Sequence, residues 1–537
     1  MSESMPSTGR QLTRRQFVTA SAGAVGVALA SRGLPIPALA AQEAIARGGT
    51  FRTNLGTGLP TLNPTISSFL GGLYNLMYDS LIRYRLVDPA TRTYEVLPAL
   101  AETWAWNEDN TEITFTLRQG VKFHDGSDWN ADVAKWNFDL MMTHEQSFAK
   151  PFVESIESVE VVDPANVRLK LKGPSAPLLA NLSNSSGRVF FISQAQYEQL
   201  GEAGFGENPS GTGPMRFDSW IKENQVTLTR FDGYWQQGED GQPLPYLDGA
   251  QYRLIPEAQT ALVELMSGNL EYLEIDPKDA ATVQGNGDLT LDPIPASGSF
   301  YVVLGLNQTV GLFGENIGVR KAALTALNRE AIMNVISFGQ ATLAPYPYWY
   351  EGMIGYDSTL PRYDYDVEAA QALLTDAGFP DGVDIKLTVI QRPLEQQMAE
   401  IIKQMWDEVG IRTELEILER TAWIAKLREG KDYDAAFWRA IFPADPDQNG
   451  QLLLTGAQSN WGSYSNPEID RLMGEARTTL DTAQRQELYR QVQQHIYDDA
   501  CVGQAFYLPT LAAYRNALNG FTADANQPRF HEAWLTQ

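Results

Sequence analysis

The stretch from Leu97 to Asp139 restricts the possible folds of this chain more than any other. Between Thr111 and Arg118, apolar and polar side chains alternate, and this period of two predicts a strand with one buried face. The Asp125–Gly126 pair indicates a tight turn after the strand. A polar side chain, Asp128 or Asn130, can then cap a helix. The stretch therefore predicts a strand, a turn and a helix, without a recognisable catalytic group.

The size and charge of the chain exclude some classes of function. It has 537 residues, 43% of them hydrophobic, which is enough for about three domain-sized units. Its formal net charge of −25 makes it a poor partner for the phosphate backbone of nucleic acids. The single cysteine, Cys501, excludes a disulfide within the chain, and its apolar surroundings predict a small core residue.

The first forty residues have the pattern of an export signal. The Arg14–Arg15 pair is followed by a weakly apolar run from Phe17 to Ala30, and the small residues Ala38 and Ala40 have the spacing of a cleavage site. We therefore predict a twin-arginine signal peptide over residues 1–40 and a free periplasmic protein. The alternative is an amphipathic N-terminal helix or an anchor, although the apolar run is too short to span a bilayer comfortably.

Three short motifs within the Leu97–Asp139 stretch carry a family resemblance. They read Pro98-Ala99-Leu100-Ala101-Glu102, Leu117-Arg118 and Gly120-Val121-Lys122-Phe123-His124-Asp125-Gly126. In this order they resemble the signature of the family 5 extracellular solute-binding proteins, which serve ABC importers for peptides, nickel, opines and some oligosaccharides. The resemblance implies a periplasmic protein that captures an organic solute and delivers it to an ABC permease in the inner membrane.

The same resemblance implies an α/β fold of the two-lobed periplasmic-binding-protein type (cluster C), with an extra α+β subdomain inserted in the first lobe. We assign the discontinuous lobe I to residues 47–88, 212–298 and 507–537, the inserted subdomain to 89–211, and lobe II to 299–506. The chain would cross between the lobes near residues 297–300 and 504–507. Two short crossings suit closure of a hinge around a ligand.

Two local patterns refine this architecture. Residues 158–172 read as a hairpin whose turn runs from Asp163 to Asn166. The apolar pattern also predicts a strand from Ile385 to Ile390, a helix from Glu395 to Val409 and a strand from Ile411 to Leu418. Such a unit implies a parallel pair of strands joined by a right-handed crossover.

Recognisable motifs of catalysis and of metal binding are absent from the sequence. The four histidines, His124, His144, His495 and His531, show no paired metal-ligand spacing, and His124 reads as a structural turn residue. Gly-x-Ser-x-Gly, Cys-x-x-Cys and phosphate-loop patterns do not occur. We therefore predict a protein that is not an enzyme and has no cofactor. A periplasmic enzyme or chaperone on the same fold is the alternative from a different class.

The segment after the predicted strand from Asp434 to Phe437 is the first candidate for ligand contact. In peptide-binding members of the family that this chain resembles, a tryptophan here is followed three positions later by an aspartate that holds the ligand's ammonium group. Trp438 matches the tryptophan, whereas Ile441 stands at the position of the aspartate. Asp445 could replace this anchor only if the loop is rearranged. Arg439 would favour a carboxylate or phosphate if it faces the cleft, and a surface ion pair is the alternative.

Aromatic side chains are the remaining ligand-binding candidates. Tyr301 lies at one predicted crossing, Trp349 in a dense aromatic run, and Trp461 before a predicted helix. Aromatic faces bind apolar or sugar surfaces and stack on cations, while packing inside lobe II is the alternative. With Ile441, this pattern predicts a ligand without an obligatory free amine, such as an opine-like or other carboxylated solute or an oligosaccharide; an ordinary peptide is the alternative. We expect a monomer that binds one solute molecule.

Overall fold

The computed structural model describes most of the chain from residue 45 onward. The described ranges are 45–67, 72–88, 93–184, 188–293, 300–340, 348–441, 445–457, 459–507, 511–521 and 529–536. The predicted signal peptide over residues 1–40 and most of the first predicted crossing lie outside them. No helix within these ranges is long and apolar enough to cross a membrane.

The described ranges contain 20 strands and 16 α-helices, numbered in chain order. The strands are β1 (Thr50–Asn54), β2 (Ile82–Asp88), β3 (Thr93–Pro98), β4 (Ala101–Trp106), β5 (Glu112–Leu117), β6 (Ile156–Asp163), β7 (Asn166–Leu171), β8 (Met215–Ile221), β9 (Gln225–Arg230), β10 (Gly249–Arg253), β11 (Tyr272–Ile275), β12 (Leu289–Pro293), β13 (Phe300–Leu306), β14 (Val383–Ile390), β15 (Ile411–Leu418), β16 (Ala435–Ile441), β17 (Val502–Tyr507), β18 (Leu511–Arg515), β19 (Leu518–Asn519) and β20 (Trp534–Leu535). The helices are α1 (Leu73–Met77), α2 (Ala131–Thr143), α3 (Lys150–Val153), α4 (Leu178–Asn181), α5 (Gln194–Glu207), α6 (Ala258–Met266), α7 (Ala280–Gln284), α8 (Gly311–Glu315), α9 (Ile317–Thr325), α10 (Arg329–Ser337), α11 (Val367–Asp376), α12 (Pro393–Glu408), α13 (Arg420–Ala425), α14 (Gly450–Leu453), α15 (Pro467–Thr478) and α16 (Thr482–Asp499).

A seven-stranded sheet, called sheet I here, has the strand order β12-β18-β11-β1-β10-β9-β8. β1 is parallel to β10 and β11, while β18 is antiparallel to β11 and β12. Burial alternates along β1, where Phe51 and Thr53 point inward, as expected for a strand with a buried face. One core contains Phe51 and Tyr272, and a second contains Leu265 and Leu273, so apolar side chains cover both faces of the sheet.

A five-stranded sheet, called sheet II here, has the strand order β15-β14-β16-β13-β17. β14, α12 and β15 confirm the predicted strand–helix–strand unit, because β14 and β15 pair in parallel along their whole length. α12 has Pro393 at its first position and buries Met398, Ile402 and Trp406 in the core on one face of the sheet. A second core, which includes Trp438, covers the other face.

The predicted strand, turn and helix of the Leu97–Asp139 stretch are confirmed in a four-stranded sheet of order β4-β5-β7-β6. Ile113, Phe115 and Leu117 of β5 are fully buried. Of the two predicted caps, Asn130 caps α2, because its side chain accepts a hydrogen bond from the backbone N of Val133 at 3.0 Å. β6 and β7 form the predicted hairpin.

The strands of sheets I and II come from interleaved parts of the chain. Sheet I uses residues 50–54, 215–293 and 511–515, and sheet II uses residues 300–306, 383–441 and 502–507. The lobe boundaries assigned from the sequence stay a prediction. The strand order nevertheless shows that the chain passes from sheet I to sheet II between β12 and β13, and returns between β17 and β18.

Candidate functional site

The carboxyl ends of the parallel strands define one edge of each large sheet. In sheet II, β14, β15, β16 and β17 end at this edge and β13 begins there, since Phe300 pairs with Ile441. In sheet I, β1, β10, β11 and β12 end at the corresponding edge and β18 begins there, since Leu511 pairs with Ile275. Open α/β sheets bind ligands outside the carboxyl ends of their strands. These two carboxyl edges are therefore the first places to look for a site.

The two carboxyl edges are close to each other because the chain connects them directly. β17 of sheet II ends at Tyr507, and β18 of sheet I begins at Leu511. Four steps of 3.8 Å between consecutive Cα atoms span at most about 15 Å. The space between the two carboxyl edges is therefore the candidate ligand cleft.

Two guanidinium groups share one buried carboxylate at the carboxyl edge of sheet II. Arg439 of β16 donates from Nε and Nη2 to Glu395 of α12, over 2.6 and 3.1 Å. Arg392, which precedes α12, reaches the same carboxylate only at 3.6 Å. The side chain of Glu395 is 1% exposed, while those of Arg392 and Arg439 are 38% and 33% exposed. Among these three described groups, one negative charge lies beside two positive ones, so the cluster keeps a net positive charge that can bind an anion.

Trp438 lies on the opposite face of β16 from Arg439. The strand is regular here, and Trp438 pairs with Val303 while Arg439 pairs with Val302. The indole of Trp438 is 4% exposed and covers Gly305, where an added Cβ would lie 1.7 Å from the ring. Neighbouring side chains of a regular strand point to opposite faces, and Trp438 is a core residue in this structure. Its contact with a ligand stays a prediction.

The other three aromatic candidates differ in exposure. Tyr301 and Trp349 are both 0% exposed and belong to the same core as Trp438. Trp461 is only partly buried, its ring centroid lies 4.7 Å from that of Trp423, and the guanidinium of Arg428 lies 5.3 Å from its ring. Of these three aromatic residues, Trp461 is the one with accessible surface for a ligand.

Asp445 is half of a buried ion pair in the segment that follows β16. Each of its carboxylate oxygens accepts a hydrogen bond of 2.7 Å from Arg485 of α16, and Arg485 also donates to the hydroxyl of Tyr489. Asp445 and Arg485 are 7% and 6% exposed. The carboxylate is thus engaged, and binding a ligand would need the loop rearrangement named above. Ile441 ends β16, and its side chain lies outside the described part of the structure.

Sequence reasoning missed the residues that surround Arg439. Arg392 had a readable signal, because it is a basic residue between a predicted strand and a proline that can begin a helix. Glu395 had none, since its partner Arg439 is 44 positions away in the chain. Only the packing of α12 against β16 brings the two side chains together.

Glu274 was also missed, and it lies near the carboxyl edge of sheet I. It interrupts the apolar run of β11, which is the signal that the sequence offered. The side chain is exposed to solvent although protein atoms of the sheet lie around it. This crowding raises the pKa of Glu274 to about 7 by desolvation, against a smaller opposite effect of a hydrogen bond with Tyr272. Within the described ranges, no arginine, lysine or histidine forms an ion pair with it.

The interpretation of His124 as a structural residue is confirmed. Its Nε2 lies 2.9 Å from the carbonyl oxygen of Gly213, and its Nδ1 accepts a hydrogen bond from the backbone N of Gly211 at 3.3 Å. Burial lowers the pKa of His124 to about 4, so the ring is neutral at pH 7. Among the residues that the structure describes, no group of three or more His, Cys, Asp or Glu could hold a metal ion.

Comparisons of the sequence point to one family. The family model for the bacterial extracellular solute-binding proteins, family 5 Middle, matches residues 95–463. The chain is 28% identical over 523 residues to the glutathione-binding protein GsiB of Salmonella typhi, covering 94% of this chain and 96% of that protein. It is also 28% identical over 476 residues to the dipeptide-binding protein of Escherichia coli K12, covering 82% of this chain and 86% of that protein.

Solved structures with the same architecture agree with this match. HbpA2 from Haemophilus parasuis has a TM-score of 0.79 at 24% identity, covering 91% of this chain and 100% of that one. The ABC transporter-associated periplasmic binding protein DppA from Helicobacter pylori, in complex with the peptide STSA, has a TM-score of 0.75 at 24% identity, covering 92% and 99%. The fold is therefore the two-lobed α/β fold of periplasmic binding proteins, as the sequence motifs implied. Since the family model spans more than half of the chain, the chain belongs to the bacterial extracellular solute-binding proteins of family 5.

Proposed function

We propose that this protein captures a carboxylated, peptide-like solute between its lobes and delivers it unchanged to an ABC permease. The observation that carries the proposal is the uncompensated positive charge of Arg392 and Arg439 beside Glu395, at the carboxyl edge of sheet II. Glutathione and dipeptides, named in two of the relatives, carry carboxylates, and this supports the same ligand class.

The two arginines have different roles in this proposal. Arg439 is held by two hydrogen bonds to Glu395, which keep its guanidinium in place. Arg392 is beyond hydrogen-bonding distance of Glu395, at 3.6 Å, so its planar fork can bind a ligand carboxylate with two parallel hydrogen bonds. Arg392 is therefore the main anion-binding group, and Arg439 contributes charge at a fixed position.

Isothermal titration calorimetry with glutathione, the dipeptide Met-Leu, an opine and a neutral oligosaccharide tests the ligand class. We expect one-to-one binding of a carboxylated solute, and Arg392→Gln should weaken it about 10- to 100-fold, the range for hydrogen bonds to charged groups. Amidation of the ligand carboxylate should weaken binding to the unaltered protein by a similar factor. Binding of the oligosaccharide alone would contradict the proposal.

Arg412→Gln is the matched control for this experiment. Arg412 lies on the same sheet but near the start of β15, at the opposite edge, where it pairs with the exposed Asp384. Its replacement should leave ligand affinity unchanged. Equal losses of affinity in both variants would point to a general electrostatic effect and not to a site at Arg392.

The proposal also separates solute binding from the enzyme alternative. A solute-binding protein binds one equivalent of ligand and returns it chemically unchanged, whereas a periplasmic enzyme on this fold would convert it. Mass spectrometry of the ligand after long incubation with equimolar protein makes this distinction. Accumulation of a product with time would contradict the proposal.

Export by the twin-arginine route and a monomeric state complete the proposed function. The Arg14–Arg15 pair and the Ala38–Ala40 site support export of the folded chain with cleavage after Ala40. Changing both arginines to lysine should leave uncleaved precursor in the cytoplasm, as shown by fractionation and immunoblotting. Normal export of the double variant would contradict this route.

Light scattering of the mature protein tests the proposed monomeric state and should give the mass of one chain.

A further inference from the structure

Glu395 is the buried acid of the charged cluster at the carboxyl edge of sheet II. Its side chain is 1% exposed, and Arg439 donates to it from Nε to Oε1 at 2.6 Å and from Nη2 to Oε2 at 3.1 Å. Oε1 also lies 3.6 Å from Nη1 of Arg392. Because a buried carboxylate is costly unless a cation neutralises it, Glu395 needs at least one of the two arginines.

The two arginines are engaged to different extents. Arg439 uses two of its donors on Glu395 in a side-on pair, which fixes its guanidinium. The guanidinium of Arg392 donates no hydrogen bond to another residue that the structure describes, and its side chain is 38% exposed. Glu395 therefore neutralises Arg439 and leaves the charge of Arg392 to a ligand.

The charges of these three groups can be counted. Two positive charges and one negative charge leave one positive charge, and a single carboxylate on Arg392 brings the sum to zero. A group with two negative charges, such as a phosphonate, would leave one negative charge in excess beside the buried Glu395. An excess charge is costly where the ligand excludes water, since the cost of desolvation rises with the square of the charge.

We propose that Glu395 is the specificity-determining residue of this site, because its charge makes the cluster accept solutes with one negative charge at Arg392 and discriminate against phosphate and phosphonate groups. Glu395 is a positioning residue, since it acts through the two arginines. The inference rests on the proposed function, because it requires Arg392 to bind the ligand. It adds the means by which the site sorts anions, which is an unpaired charge that forms only with the wrong ligand.

Three forms of one dipeptide test the inference by calorimetry. They are Met-Leu and two analogues in which a sulfonate or a phosphonate replaces the terminal carboxylate. Both analogues are tetrahedral, but in mildly alkaline buffer the sulfonate has one negative charge and the phosphonate has two. The ratio of their affinities therefore reports charge and not shape. We expect the unaltered protein to bind the sulfonate about tenfold or more tightly than the phosphonate.

Glu395→Gln removes the charge and keeps nearly the same shape. The net charge of the cluster rises by one, so the preference for the sulfonate should fall by about tenfold or more. A purely structural role of Glu395 would instead weaken both analogues by the same factor and leave their ratio unchanged. The double variant Glu395→Gln with Arg439→Gln has the same net charge as the unaltered cluster, and it should regain the preference for the sulfonate.

Glu271→Gln is the matched control. Glu271 is another buried glutamate that is paired with an arginine, since its carboxylate accepts hydrogen bonds from Arg52 of β1. It directly precedes β11, so it lies at the edge of sheet I that is opposite to the candidate cleft. Its replacement should leave the affinity ratio of the two analogues at the value of the unaltered protein. Thermal unfolding should show that all variants are folded.

Two results would overturn the inference: equal affinity of the unaltered protein for both analogues, or an unchanged ratio in Glu395→Gln. Binding of Met-Leu that depends on Arg392 would leave the proposed function standing in either case. If Glu395→Gln alone does not fold, the unaltered protein and the double variant must still share the same preference. Failure of the unaltered protein to bind Met-Leu would overturn the inference, and the titrations with glutathione and an opine would then decide the proposed function.

Discussion

At the scale of single residues, Glu274 should make the stability of the unliganded protein depend on pH. Its folded-state pKa of about 7 lies above the ordinary value of 4.5, so the folded chain binds more protons than the unfolded chain between these values. The contribution of Glu274 to the free energy of unfolding should therefore fall as pH rises from about 4.5 to 7. Glu274→Gln should be more stable than the unaltered protein at pH 8, by about 1 kcal/mol or less because solvent screens the group.

Urea denaturation at pH 5 and pH 8 measures this difference. The advantage of Glu274→Gln should be small at pH 5, where the native glutamate is mostly protonated, and larger at pH 8. Glu157→Gln, at an exposed position of β6, should show no such change between the two pH values. An advantage that is equal at both pH values would mean that Glu274 does not titrate in this range.

At the scale of elements, the Asp445–Arg485 ion pair joins the segment after β16 to α16. Both groups are buried, and the guanidinium meets the carboxylate with two hydrogen bonds of 2.7 Å. Arg485→Met leaves a buried carboxylate without its cation, so the free energy of unfolding should fall by about 3–5 kcal/mol. The double variant Asp445→Asn with Arg485→Met should lose less, because no isolated charge remains.

Arg490→Met provides the comparison on the same helix. The side chains of Arg490 and its partner Glu487, three residues earlier, are 38% and 50% exposed, so loss of this pair should cost about 1 kcal/mol or less in chemical denaturation. Equal losses for Arg485→Met and Arg490→Met would show that burial does not strengthen the Asp445–Arg485 pair. A loss of ligand binding without a loss of stability in Asp445→Asn would return Asp445 as a ligand anchor.

At the scale of the whole molecule, two hydrogen bonds between described residues join the predicted inserted subdomain to the region around sheet II. Gln448 donates from Nε2 to Oδ1 of Asn181 at 3.0 Å, and the backbone N of Ala176 donates to the carbonyl oxygen of Arg477 at 2.8 Å. These contacts can form only when the two parts of the chain are close. Gln448→Ala should therefore shift the protein toward a more open form, by about 0.5–1.5 kcal/mol.

Small-angle scattering and calorimetry check this prediction together. The radius of gyration of the unliganded Gln448→Ala variant should exceed that of the unaltered protein, its affinity should fall up to about tenfold, and saturating ligand should restore the compact form. Gln494→Ala serves as control, since Gln494 is half-buried and its side chain donates a hydrogen bond to Asp498 of the same helix. Identical scattering of all three unliganded proteins would contradict a role of Gln448 in closure.

Local patterns predicted elements correctly but not the partners of charged side chains. The strand in the Leu97–Asp139 stretch, the cap at Asn130 and the strand–helix–strand unit of sheet II follow from alternation, capping and helical periodicity, which depend on neighbours in the sequence. Trp438 and Arg439 lie on opposite faces of β16, as neighbours on a regular strand do. The alternation of side chains could not show which face of β16 borders the cleft. It also could not show that the buried Glu395 lies beside Arg439.

The sequence by itself determined the family and hence the two-lobed fold. The reason is that ordered motifs and short-range periodicity depend only on residues that are close together in the sequence. Tertiary structure alone decided the charge of the candidate cleft. Arg439 meets Glu395 across 44 positions, and Asp445 meets Arg485 across 40. A carboxylate becomes a structural partner or a ligand-binding group according to what surrounds it. Only the packing of the sheets and helices sets those surroundings.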